Sequence, residues 1–141
     1  MDIYFTASWL LYSIYHSEND KEGADLYKII ANADYSNHAI ISYDEFILGL
    51  TLLRRLDLVS ERDNYLFTTM TYKDWWTFKF ENKKRIYIQN EMSAIEKYIK
   101  KKAENEENIE DLIINTNISA SDFDRAVKTY IDAFNNNKRQ P

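Results

Sequence analysis

Two histidines, His16 and His38, and no cysteine occur in the chain, so zinc ligands and thiol nucleophiles are scarce from the outset. Neither histidine has a second histidine at i, i+4 or a cysteine cluster, the spacings that hold zinc. Asp34 and His38 stand four apart and could form an acid–base pair. The run Asp34-Tyr35-Ser36-Asn37-His38 is also a cluster of turn formers, which explains both residues by capping. Asp44-Glu45 reads as helix capping, not as a carboxylate dyad. Gly23 and Gly49 stand alone, so no glycine-rich phosphate loop is present. Catalysis is therefore not expected, and neither is a metal or a cofactor.

The remaining chemistry is carried by charge. Residues 71–102 hold nine Lys and Arg (73, 79, 83, 84, 85, 97, 100, 101, 102) against four acids, a net +5. Tyr72, Trp75, Trp76, Phe78 and Phe80 interleave with them, as on a surface that stacks bases or grips phosphates. The plainer reading is a solvated helix face with its aromatic side in the core. Core packing is expected for both Trp75 and Trp76, because adjacent helical positions point about 100° apart and only one could centre a pocket. Residues 1–70 are the opposite: five cations (21, 28, 54, 55, 62) against eleven acids, a net −6. The whole chain carries −5, and pairing of the basic stretch with the acidic half of a partner subunit is a third use of the charge.

The elements that must position these residues follow from periodicity. The 141 residues fit one domain of ~100–200 residues, and the few breakers, two Gly and a Pro at the last position, favour helix. A first helix is expected over residues 6–17, around Trp9, Leu10 and Ile14. Residues 3–15 are apolar but follow an acidic start and fall short of ~20 residues, so neither a signal peptide nor a membrane span is expected. A second helix is expected over 24–33, with Leu26, Ile29, Ile30 and Ala33 on one face. Ile40-Ile41 suggests a short edge strand.

Ser42-Tyr43-Asp44-Glu45 fits a capping box that opens a third helix, 42–57, with Phe46, Leu50, Leu53 and Leu56 on a buried stripe. Residues 58–61 and 65–68 are β-prone and flank Arg62-Asp63-Asn64, a hairpin turn whose Asp and Asn tolerate positive φ. Residues 72–102 read as one long helix, or two joined near Asn82. Within them Ile88, Met92, Ile95 and Ile99 form a short heptad seam, and Glu81–Arg85 and Glu96–Lys100 are i, i+4 pairs. An acidic linker, 103–108, and a helical turn, 109–114, lead to a last helix, 119–135, capped by Ser119 or Ser121.

The predicted fold is mainly α with a small β-ribbon. The order helix, helix, short strand, helix, hairpin resembles winged-helix domains of bacteria, including small uncharacterised proteins. The resemblance rests on LYKIIANADYSN, ISYDEFILGLTLLRRLDLV and the ribbon. It covers about half the chain and implies an N-terminal winged helix (1–70) with a helical extension (71–141) packed on it. It also implies a DNA-reading third helix, with Tyr43, Thr51, Arg54, Arg55, the wing residues Arg62 and Asn64, and the cluster Lys83, Lys84 and Arg85 as contacts. The acidic first half opposes that use, because DNA affinity rests on Lys and Arg neutralising phosphates. The expected role is thus a non-catalytic regulatory or protein-interaction module, cytoplasmic, with a protein partner or a second copy of itself. The seam Ile88, Met92, Ile95 and Ile99 is the expected dimer contact. A DNA-binding regulator is the alternative, and a small-ligand sensor with a pocket near Trp75 a third reading.

Overall fold

The structure, a computed structural model, describes residues 2–18, 22–106 and 116–139. The chain is mainly helical with one two-stranded antiparallel ribbon: α1 (Ile3–Ser17), α2 (Leu26–Asn37), α3 (Tyr43–Arg55), β1 (Val59–Arg62), β2 (Tyr65–Thr68), α4 (Met70–Phe80), α5 (Ile88–Ala103) and α6 (Ala120–Arg139). The helical turn expected over residues 109–114 lies outside the described residues.

α1 is the hub. It starts three residues earlier than its apolar periodicity suggests, because the Asp2 carboxylate accepts from the N–H groups of Tyr4 and Phe5 at 3.0 and 3.3 Å. Aspartate at this position satisfies amides that the first helical turn leaves orphaned. From Thr6 to Ile14 every residue of α1 is buried, and α2, α3 and α5 pack around it. Among the described residues, no helix is long and apolar enough to cross a membrane.

α2 begins on Asp25, whose carboxylate accepts from the Lys28 N–H at 2.8 Å. It runs four residues past the expected end. The supposed turn at 34–37 is its last turn, and His38 closes it in the left-handed conformation (φ 53°) with its N–H on the Asp34 carbonyl. No strand forms at Ile40-Ile41. The short third partner of the ribbon is instead Ala24, which bridges to Leu66 ahead of α2. Gly23 makes that approach possible: its φ is +83°, and a Cβ there would lie 2.7 Å from the Phe67 ring and 2.9 Å from the Leu66 carbonyl.

α3 carries the full capping box. Ser42 Oγ accepts from the Glu45 N–H at 3.1 Å, and the Glu45 carboxylate accepts from the Ser42 N–H at 3.0 Å. In the ribbon Arg62 faces Tyr65, so the turn is the pair Asp63-Asn64, with φ of 52° and 65°. Positive φ at both positions suits the twist of a tight hairpin.

The stretch 72–102 is two helices, not one. The break spans residues 81–87 and contains Glu81 and Arg85, so those two lose the helical spacing that would pair them. Glu96 and Lys100 do pair, at 3.6 Å. In α6, Ser119 is the capping hydroxyl, accepting from the Asp122 N–H at 3.0 Å.

The apolar seam on α5 also needs correction as a dimer contact. Ile95 and Ile99 are fully buried, Met92 nearly so, and Ile88 is half-buried, all within the core that α1 nucleates. A 3.5-residue repeat announces that a face is buried without saying against what. Here α1 packs on that helix and Ile95 and Ile99 are closed off, whereas Ile88 and Met92 at its start border open concavities. Residues from both halves of the chain, Leu50 and Leu53 with Ile99, Ile118 and Phe123, share that one core.

Candidate interaction surfaces

The face of α3 expected to read DNA is largely closed. Tyr43 turns inward: its hydroxyl donates to the Ile118 carbonyl at 2.9 Å and its ring lies 5.6 Å from that of Phe123. Phe46 meets the same ring at 5.0 Å. Thr51 is buried, with its hydroxyl donating to the Ile47 carbonyl at 2.7 Å. Neither Tyr43 nor Thr51 is presented to a groove: the segment leading into α6 and its first turn cover Tyr43, and Thr51 is itself buried.

The arginines are engaged by acids or rings. Arg54 lies 4.0 Å from Glu61, Arg55 Nε reaches Glu106 at 3.4 Å, and the Arg62 guanidinium sits 5.1 Å from the centre of the Phe67 ring. Glu61 also accepts from the Thr116 hydroxyl and, at 2.9 Å, from the Asn117 N–H, so β1 of the ribbon is tied to the start of the α6 segment. Asn64 stands exposed at the hairpin tip.

Lys83, Lys84 and Arg85 are exposed too, but elsewhere. Arg55 contacts a residue just beyond the C-terminus of α5, whereas Arg85 lies just before its N-terminus. The 16 residues between separate them by roughly 24 Å at 1.5 Å per residue. Among the described residues, no continuous basic stripe forms along α3, the ribbon and residues 83–85.

A polar cluster that the sequence did not announce lies deeper. Glu91 on α5 has 4% of its side chain exposed, and its carboxylate meets His16 Nε2 at 2.5 Å and the Trp76 indole N–H at 3.2 Å. Three helices, α1, α4 and α5, are joined at that one oxygen. Burying a carboxylate is tolerable only with such partners. The tyrosines around it are pushed toward the neutral form. Burial, reinforced by the charge of Glu91, raises Tyr12 to about 12 and holds Tyr15 and Tyr72 above the ordinary phenol value. With Glu91 closed to solvent, the cluster ties helices together and offers no carboxylate to a substrate. Asp34 is likewise engaged: its carboxylate accepts from the Tyr130 hydroxyl at 2.6 Å, which fixes α6 on α2, and its carbonyl accepts from the His38 N–H that closes α2.

Two concave surfaces stand out among the described residues. The first is an aromatic shelf where the end of α2 meets the start of α5. Tyr35 is 70% exposed and Tyr87 57%, and they line a shallow concavity of about 690 Å³ with Arg85 and Ile88. The Arg85 guanidinium lies 5.1 Å from the centre of the Tyr87 ring, within cation–π range. An adjoining groove of about 420 Å³ adds Phe5 and Met92.

The second is a cleft of about 640 Å³ between α4 and α5. Trp75 and Tyr98 stack in its wall with ring centres 4.4 Å apart and planes 10° from parallel. Lys79, Lys97, Lys101 and Lys102 also line it, and the Lys102 ammonium sits 5.6 Å from the centre of the Tyr98 ring. Burial raises the Tyr98 phenol above its usual value, so it stays neutral beside those ammonium groups. The two adjacent tryptophans therefore part company: Trp76 goes to Tyr15 and Glu91, whereas Trp75 borders the cleft.

No family model, curated protein or solved structure matches the chain.

Proposed function

We propose that the chain is a non-catalytic protein-interaction module built on a winged helix, working in the cytoplasm, with a second copy of itself as partner. The observation that carries this is the exposed shelf of Tyr35, Arg85 and Tyr87. Tyrosine and arginine are the residue types that concentrate binding energy at protein interfaces, since they bring large contact area at low entropic cost. The winged-helix assignment is supported by three helices backed by a ribbon whose third short partner is the Ala24 bridge. The DNA-binding alternative is disfavoured by the covering of Tyr43 and the burial of Thr51. On this reading the three-helix unit is a scaffold that holds the shelf at one end. A two-fold dimer would set the same patch of each copy against the other.

Sedimentation velocity over a range of protein concentrations tests the proposal. The wild type is expected to show a concentration-dependent dimer. The double variant Tyr35→Ala/Tyr87→Ala is expected to lose roughly 2 kcal/mol or more of association free energy. A wild type that stays monomeric at every concentration, or a dimer unchanged by the double variant, would refute self-association through this shelf.

A further inference from the structure

We infer that the cleft between α4 and α5 is a binding site for single-stranded nucleic acid. The cleft meets the shelf used in self-association at Asn90, but its lysines and rings lie outside that shelf, and the inference does not depend on that reading. Three observations meet there. Four lysines (79, 97, 101 and 102) line it, and no carboxylate does among the described residues. Lys97 and Lys101 are one helical turn apart, so they project along the same side of α5 about 6 Å from each other. A row of ammonium groups along a groove is what a polyanionic backbone requires.

The second observation is the aromatic wall. An acidic peptide would need only the lysines, whereas a strand with unpaired bases gains from the rings as well. Trp75 and Tyr98 are already stacked. They stand in the same wall as Lys79, Lys97, Lys101 and Lys102, so ring faces and ammonium groups are offered together. A base can extend such a stack, and bases offer π-faces whatever their sequence.

The third is length. The cleft runs from Asn90 on α5 to Asn105, just past the end of that helix, so it spans roughly 20 Å of α5 at 1.5 Å per residue. Its amides can hydrogen-bond base edges or phosphates without sequence selection. A duplex keeps its base faces stacked internally and could use only the lysines, so the aromatic wall selects the single strand.

The test is fluorescence anisotropy of a labelled oligodeoxythymidine of about 20 nucleotides, with a duplex of equal length and polyglutamate as competitors. Expected is salt-sensitive binding of the single strand that the duplex and polyglutamate displace at least tenfold less effectively than unlabelled oligodeoxythymidine. Tyr98→Ala should weaken it about 10-fold, and Lys97→Glu/Lys101→Glu should weaken it more. Lys97 and Lys101 are exposed and Tyr98 is half-buried, and circular dichroism melting of each variant confirms that the fold is kept. Absence of binding at low salt overturns the inference. So does polyglutamate competing as well as the oligonucleotide, which would indicate an acidic protein partner. A Tyr98→Ala variant of unchanged affinity overturns it too, since the phosphates alone would then be recognised.

Discussion

Replacing Ile99 by alanine is expected to lower the free energy of unfolding by about 2–5 kcal/mol, read from urea denaturation. Ile99 is fully buried in the core that joins α5 to α1, so the truncation leaves a cavity that rigid neighbours on two helices close only in part. Domains of this size are stable by about 5–15 kcal/mol, so the midpoint should fall visibly. Lys97→Ala, two residues earlier and outward-facing, should change stability by about 0.5 kcal/mol or less. The comparison separates the two uses of a heptad seam. A face buried within the chain costs stability when truncated, whereas a face buried between chains costs association. A loss below about 1 kcal/mol together with a weakened dimer would return Ile88, Met92, Ile95 and Ile99 to the interface.

Phe123→Ala is expected to cost about 3–5 kcal/mol and to loosen α6 from α3. Phe123 is buried between Tyr43 and Phe46, and it closes the side of α3 that would otherwise face outward. Ile131, on the same helix and 40% exposed, is the control, with an expected change of about 0.5 kcal/mol for Ile131→Ala. Hydrogen exchange on the variant should also show faster exchange in the first turns of α6, where the anchor has been removed. If Phe123→Ala were nearly neutral, the covering of α3 would be a weak contact and the DNA-reading surface would be open to reconsideration.

What could be read in the sequence was what local chemistry decides. Ser42 and Glu45 stand three apart, so the capping box and the start of α3 follow without tertiary information. Asp63-Asn64 between two β-prone runs fixes the hairpin, because those side chains tolerate positive φ. The starts of α1 and α2 moved by a few residues because Asp2 and Asp25 act as caps ahead of the apolar pattern. The third strand was misplaced for a different reason. Ile40-Ile41 has the composition of a strand, but Ala24 has the partner, and only Gly23 lets that backbone come against Leu66.

The candidate sites divide along the same line. Interleaved cations and aromatics over residues 71–102 signalled a surface, yet the contact of Trp75 with Tyr98, across a break that no Gly or Pro marks, depends on how α4 folds back on α5. His16 and Glu91 lie 75 positions apart, and nothing local to either residue foretells their meeting. The shelf was invisible because Tyr35 looked like part of a turn and Tyr87 like part of a continuous helix. Both are exposed only because α2 runs on and the long helix breaks.

The measurement that most directly tests the proposal that residues 1–70 serve as a scaffold is a fluorescence-anisotropy titration with random-sequence duplex DNA at ~50 mM and ~200 mM salt. It compares the wild type, the cleft variant Lys97→Glu/Lys101→Glu and the variant Arg54→Ala/Arg55→Ala/Arg62→Ala. The expected result is that any duplex binding is weak, is removed by the cleft substitutions and is unchanged by the arginine substitutions. Duplex binding that survives the cleft variant, is lost in the arginine variant and weakens by orders of magnitude between the two salt concentrations would contradict it. In that case α3 and the wing read DNA.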